Sequence, residues 1–234
     1  MTKPMLVLLH GALGAADQFT ALVPLLEGQL DVHCLDFAGH GATPLRVPAF
    51  SMEHFAENVR DYLRQHGIAR AHLFGYSMGG YVACVLARTD PALVTSLATL
   101  GTKFYWDPAG AAREIARLDP QKIAAKVPHF AHALAARHSA AGWEAVLGHT
   151  ADLLHALGQS GGLRPADVAG LETRVRICLG DRDTTTTLAE SQAIYQALPH
   201  GELEVLPATP HELERVALAR LAYSLIEFFT APSG

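Results

Sequence analysis

No run of lysine and arginine occurs anywhere in the 234 residues, and the formal net charge is -5. A nucleic-acid or anionic-membrane partner is recognised through a concentrated positive field, so neither is expected here. Long apolar stretches are also missing. None approaches the roughly 18 residues of a transmembrane helix. The apolar run Met5 to Leu9 is too short for a signal sequence and leads straight into His10-Gly11. Cysteine is scarce: Cys34, Cys84 and Cys178 are odd in number and each lies in an apolar run. That is the pattern of buried free thiols in a reducing compartment, with the cytoplasm as the expected location. No G-x-G-x-x-G follows the first apolar run and no P-loop lysine is present, which removes two phosphate-cradling signatures. A small-molecule partner remains. The oligomeric state stays open.

What is present is core material, since 50% of the residues are apolar and only 18% are charged. The length suits one sizeable α/β domain or two small ones. Short apolar runs alternate with longer helical stretches, the pattern of a mostly parallel, doubly wound sheet with helices on both faces. Strands are predicted at Met5 to Leu9, Val32 to Leu35, His72 to Gly75, Val94 to Leu100, Val175 to Leu179 and Leu203 to Leu206. A closing helix is predicted from Glu212 to about Phe229, with Leu213, Val216, Leu221, Leu225 and Phe228 on one face. The interval from Gly101 to Thr173 contains no convincing strand. Helical stretches at Ala109 to Leu118, Phe130 to Arg137 and Trp143 to Leu157 fill it, and Pro108, Pro120, Pro128 and Pro165 stand at helix starts or linkers. The expected organisation is therefore a core of residues 1–101 and 172–234 with a helical cap of residues 102–171 inserted between two late strands. Such an insertion lies over the strand ends where open α/β sheets bind ligands.

The chemistry centres on Gly75-Tyr76-Ser77-Met78-Gly79-Gly80, a G-x-S-x-G pattern set between a predicted strand and the apolar run Tyr81 to Ala87. In that context the pattern reads as a nucleophile elbow, a tight turn that lifts a serine hydroxyl above the sheet. Such a serine needs a base, and the base an orienting acid. Two carboxylates, Asp181 and Asp183, follow the strand Val175 to Leu179. His211 follows the last strand, just ahead of the closing helix. The order Ser, Asp, His is that of α/β-hydrolases.

The chain resembles the α/β-hydrolase superfamily, in its form with a helical cap. The resemblance covers about residues 5 to 101 and 172 to 230. It rests on Leu9-His10-Gly11, the turn Asp36-Phe37-Ala38-Gly39-His40-Gly41, the elbow Gly75 to Gly79, the acid motif Gly180 to Asp183, and His211. It implies Ser77 as nucleophile, His211 as base, and Asp183, favoured over Asp181 by family spacing, as the orienting acid. It implies an oxyanion hole of the Met78 and Ala12 backbone N–H groups, with Leu13 as the alternative second donor. The activity implied is hydrolysis of a carboxylic ester or thioester through an acyl-enzyme, with no metal or organic cofactor. A serine at the elbow sets the chain apart from the haloalkane dehalogenases and epoxide hydrolases of this fold, which use aspartate. The lyase of menaquinone biosynthesis shares the elbow sequence but usually follows it with arginine, where this chain has Tyr81. A noncatalytic ligand-binding member of the fold is the remaining alternative.

Other residues invite chemical readings. His10 and His40 are expected to be structural. His129, His132, His138, His149 and His155 lack acidic or thiolate neighbours at metal-ligand spacing and read as solvated helix histidines. Lys103-Phe104-Tyr105-Trp106 leads from a strand into the cap, so Tyr105 and Trp106 are candidates to line a substrate pocket or to anchor the lid.

Overall fold

The computed structural model describes residues 3–45 and 49–231. The ends of the expected core span, residues 1–2 and 232–234, lie outside the described residues. In chain order the elements are β1 (Met5–Leu9), α1 (Val23–Leu26), β2 (Asp31–Leu35), α2 (Met52–Gln65), β3 (Ala71–Tyr76), α3 (Met78–Thr89) and β4 (Val94–Leu100). Five helices follow without a strand: α4 (Pro108–Ile115), α5 (Pro120–Lys126), α6 (Pro128–Arg137), α7 (Trp143–Ser160) and α8 (Pro165–Val168). The chain then completes the sheet with β5 (Arg174–Gly180), α9 (Leu188–Ala197), β6 (Gly201–Leu206) and α10 (Leu218–Thr230).

All six strands are parallel, in the order β2-β1-β3-β4-β5-β6. Alternating side chains feed two cores, as the period of a strand requires. Val7, Leu9, Leu73, Leu97 and Ile177 face one core with Val59 and Leu63 of α2, Val82 of α3 and Ile194 of α9. Leu6, Leu8, Phe74, Ala98 and Cys178 face the other with Leu26 of α1 and Leu221, Leu225 and Phe228 of α10. Each fully buried valine, leucine, isoleucine or phenylalanine side chain among them contributes about 1.5–3 kcal/mol of transfer free energy. The three cysteines form no disulfide; Cys84 and Cys178 are buried and Cys34 is partly exposed. No helix among the described residues is long and apolar enough to cross a membrane.

The sheet order reverses between β1 and β3. Loops leaving the carboxyl ends of these two strands diverge, which opens a crevice at the point where ligands bind in open α/β sheets. The inserted helices roof it. Each of the four prolines marked in the sequence is the first residue of a helix, where its missing N–H costs nothing. Asp107 and Asp119 cap two of these helices by accepting from the backbone N–H groups of Gly110, and of Gln121 and Lys122.

Two helical readings need correction. The closing helix does not begin at Glu212: Leu213–Arg215 is a 3-10 turn, Val216 returns to extended backbone, and α10 starts at Leu218. Leu213 and Val216 are nevertheless buried, so the apolar spacing was real although no continuous helix carries it. In the cap, α5 and α8 are additional short helices. The long stripe of α7 buries Val146, Leu147, Leu153 and Leu157, with Trp143 and Leu154 partly buried.

Candidate active site

Ser77 occupies the junction of β3 and α3 with φ +51 and ψ -115, a conformation that L-residues rarely adopt. The turn is held from three directions. Ser77 N–H donates to Leu100 O at 2.8 Å, the Thr102 hydroxyl donates to Ser77 O at 3.0 Å, and Gly80 N–H donates to the same carbonyl at 3.1 Å. A Cβ on Gly79 would overlap the Leu9 carbonyl oxygen, and one on Gly75 would overlap the backbone of Gly79 and Gly80. Glycine at these positions is what lets helix and strands meet this closely.

His211 Nδ1 donates to Asp183 Oδ2 at 2.7 Å, and the carboxylate side chain is only 1% exposed. The other oxygen of Asp183 accepts from the N–H groups of Thr185 and Thr186, at 2.7 and 2.9 Å. Burial pushes this carboxyl up, but the bonds from His211 and the two backbone amides outweigh it and hold it below the ordinary value. Asp181 is exposed and does not meet His211. It accepts from Thr209 N–H at 3.0 Å and so pins the loop that carries the histidine. Between the paired residues lies Gly101, at φ +62. A Cβ there would sit 3.1 Å from Asp183 Oδ2 and 3.2 Å from His211 Nδ1. The sequence reading did not single out Gly101.

The loop after β1 forms a tight turn, with Gly14 N–H donating to Gly11 O at 3.1 Å. It lies against the elbow: a Cβ on Gly11 would be 3.3 Å from Ser77 Cβ. The N–H groups of Ala12 and Met78 donate to no protein acceptor among the described residues. Beneath this turn His10 is fully buried. Its Nδ1–H donates to Gly11 O at 2.8 Å while Nε2 accepts from Phe37 N–H at 3.2 Å. Burial lowers its pKa to about 4, so the ring is neutral at pH 7. His40 is buried beside it and is likewise held neutral, chiefly by burial.

His138 corrects the reading of the cap histidines. His129, His132 and His155 are exposed and His149 is partly so, but His138 is 0% exposed and bonds to the core. Its Nδ1 accepts from Gly41 N–H at 3.2 Å and its Nε2–H donates to Leu13 O at 3.0 Å. No group of three or more histidine, cysteine or acidic side chains among the described residues is placed to hold a metal ion.

Ser77, Met78, Ala12 and His211 line one cavity of about 470 Å³. Ser77 Oγ and His211 Nε2 form no hydrogen bond among the described residues; such contacts often tighten only with substrate in place. The cap contributes Trp106, Leu118, Ile123, Phe130, Leu153 and Leu154, and the core Met52 and Tyr81, so the walls are largely apolar. Lys103, Arg117 and Arg137 add cationic groups, each within reach of a carboxylate partner. Trp106 is 8% exposed and faces this space; Tyr105 is 47% exposed and is not part of the wall. The cause is local. Residues 104 to 106 are extended, Tyr105 bridges to Gly162, and alternate side chains point opposite ways, so Phe104 and Trp106 go inward and Tyr105 outward. Glu190 of α9 fixes that segment by accepting from the N–H groups of Phe104 and Tyr105.

Comparison with known proteins matches this architecture. The family model for the alpha/beta hydrolase fold matches residues 4–141. A stretch of 102 residues is 36% identical to a pimeloyl-[acyl-carrier protein] methyl ester esterase of Aromatoleum aromaticum, covering 44% of this chain and 38% of that protein. A fluoroacetate dehalogenase of a Burkholderia species is 33% identical over 102 residues, covering 42% of this chain and 34% of that one. The matches thus span less than half the length of these curated relatives. Among solved structures, a 2-hydroxy-6-oxo-6-phenylhexa-2,4-dienoate hydrolase from Rhodococcus sp. strain RHA1 superposes with a TM-score of 0.80 at 23% identity, over 98% of this chain and 91% of that chain. With the six-stranded parallel sheet, the inserted helices and the elbow at the strand-order reversal, the family match makes this chain a member of the α/β-hydrolase fold family.

Proposed function

We propose that the protein is a serine hydrolase that cleaves a carboxylic ester or thioester of a small or medium apolar substrate through an acyl-enzyme. The observation that carries the reading is the convergence in one apolar cavity of a strained, partly exposed serine, an imidazole bonded to a buried carboxylate, and two unpaired backbone N–H groups. In this reading His211 Nε2 takes the Ser77 proton as Oγ attacks the acyl carbonyl. Asp183 holds the proton on Nδ1, which leaves Nε2 as the acceptor, and stabilises the imidazolium that forms. The N–H groups of Ala12 and Met78 receive the oxyanion. The imidazolium then protonates the leaving alcohol or thiol, and water repeats the sequence in reverse to release the acid. Trp106, Ile123, Phe130, Leu153 and Leu154 supply the acyl-binding wall.

The esterase among the relatives favours ester chemistry, while the dehalogenase shows that the family match alone does not name the bond. A lyase of the menaquinone type would call for a cation directly after the elbow. Tyr81 is there instead, buried and with its phenol pushed upward by burial. The test is fluorophosphonate labelling followed by a panel of ester and thioester chain lengths. Wild-type protein should label once, at Ser77, and turn over at least one class. Ser77→Ala should lose the label and nearly all turnover while keeping its fold. An unlabelled wild type, or a Ser77→Ala variant with more than a few per cent of wild-type turnover, would overturn the assignment.

A further inference from the structure

We propose that His138 is a positioning residue that clamps the helical cap onto the loop carrying the Ala12 oxyanion donor, so that seating of the cap sets the geometry of the oxyanion hole. The proposal rests on the serine-hydrolase reading above. Residues 11 to 14 belong to no strand or helix, and Leu13 adopts φ +59, a left-handed conformation that is unfavourable for leucine. The turn's own Gly14 N–H to Gly11 O bond is one restraint on it, and bonds from outside the turn add others.

The cap does so from the end of α6. The Leu13 carbonyl accepts from His138 Nε2–H at 3.0 Å and from the Arg137 guanidinium at 3.3 Å, and Arg137 is itself anchored to Asp17 at 2.9 Å. The opposite edge of the His138 ring accepts from Gly41 N–H in the turn after β2. One imidazole therefore joins three segments that are distant in sequence: the turn after β1, the turn after β2 and the cap. Acceptance at Nδ1 and donation at Nε2 define a single neutral tautomer. The Leu13 side chain enters the same clasp, packing on the small cap cluster of Ile123, Ala131 and Leu147. The ring centroid of His40 lies 5.6 Å from that of His138, so the histidine is walled in and cannot exchange its partners for water.

A donor displaced by a fraction of an ångström from the developing oxyanion loses much of its effect, because the stabilisation depends on a preorganised distance. A histidine that served stability alone would change how much protein folds, not how fast each folded site reacts. The discriminating measurement is the second-order rate of Ser77 modification by a fluorophosphonate, with kcat and KM for a short p-nitrophenyl ester, each normalised to the fraction of sites that finally label. His138→Phe keeps a ring in the space and removes both hydrogen bonds. It should slow both labelling and kcat by roughly 10- to 100-fold with KM changed by less than about threefold. His138→Gln, whose carboxamide offers one acceptor and one donor, should recover a large part of the loss. The exposed neighbour His132→Ala should stay within about twofold of wild type. If His138→Phe labels at the wild-type rate per site, or if glutamine rescues nothing, the clamp is overturned while the nucleophile assignment stands. If wild type itself does not label, the nucleophile assignment falls and takes the clamp with it.

Discussion

Gly101→Ala tests whether the Asp183–His211 pair works as the site's proton-handling unit. Two costs attach to the new methyl group. The backbone at φ +62 penalises an L-residue by about 1–2 kcal/mol. The Cβ would also press on Asp183 Oδ2 at 3.1 Å and on His211 Nδ1 and Cε1 at 3.2 and 3.3 Å, the two ends of one 2.7 Å hydrogen bond. Those atoms must move by a few tenths of an ångström. Gly67→Ala is the control, since Gly67 has φ +64 with nothing within 4 Å of a built Cβ, and it bears the backbone cost without the contact. Gly67→Ala should melt about 2–8 °C below wild type, the shift expected of about 1–2 kcal/mol in a domain of this size, and Gly101→Ala at least as far below. Only Gly101→Ala should lose activity, by roughly 10-fold or more in kcat/KM, given that a misplacement of 1 Å costs about 100-fold. Thermal melts by circular dichroism and steady-state ester kinetics on the same preparations separate the two effects. Activity of Gly101→Ala equal to that of Gly67→Ala would refute the argument, because it would mean that the pair can be displaced without consequence.

The two loop carboxylates should separate: Asp183→Asn should lower kcat by several orders of magnitude through loss of tautomer control, while Asp181→Asn keeps an acceptor for Thr209 N–H and should be mild, with the reverse ranking refuting the assignment of the acid. Trp106→Ala should change the ratio of kcat/KM between short and long acyl esters by up to roughly 10- to 200-fold, and Tyr105→Ala should leave that ratio unchanged; equal effects would show that Trp106 only anchors the cap. Stability should fall in mild acid. His10, His40 and His138 are buried neutral with lowered pKa values, so the unfolded chain binds more protons as pH drops from about 6.5 toward about 4, and His10 alone then withdraws about 3 kcal/mol. Glu190, whose carboxyl burial raises, opposes this slightly. A urea midpoint constant from pH 7.5 to pH 4.5 would contradict that assignment.

The central sheet was legible because burial on both faces makes parallel strands read as apolar runs, unbroken in Met5 to Leu9 and interrupted only by small hydroxyl residues in Val94 to Leu100. Strand ends were less so: β3 extends one residue further at each end than its predicted run, since Ala71 and Tyr76 carry no sharper signal than their neighbours. The motif residues were legible for a different reason, namely that strand-to-helix turns restrict residue type severely. Tertiary bonding has no such local imprint. His138 looked like one solvated histidine among five, yet it continues the buried spacing of Ala131 and Leu134, and that spacing was the available clue. Tyr105 and Trp106 could not be told apart without knowing that their segment is extended, after which alternation alone assigns them. Gly101 needed the fold, because only there do β4, Asp183 and His211 meet.

Backbone strain ties these pieces together. Among the described residues, the non-glycine positions with positive φ are Leu13, Ser77 and Ala208. One lies in the loop after β1, one in the elbow, and one in the turn before His211. Each such position costs of order 1–3 kcal/mol and persists only where its surroundings over-determine it. The surroundings are explicit: Leu13 is held by His138 and Arg137, Ser77 by Leu100 and Thr102, and the turn at Ala208 by Asp181 and Arg182, which bond the two sides of Thr209. All three loops leave carboxyl ends of a fully parallel sheet, and β1 and β3, which carry two of them, are buried almost throughout, so the rigid part of the molecule supports the strained part. That division leaves the cap to supply walls, with the exception at His138, where the cap reaches through its own wall and takes hold of a strained loop.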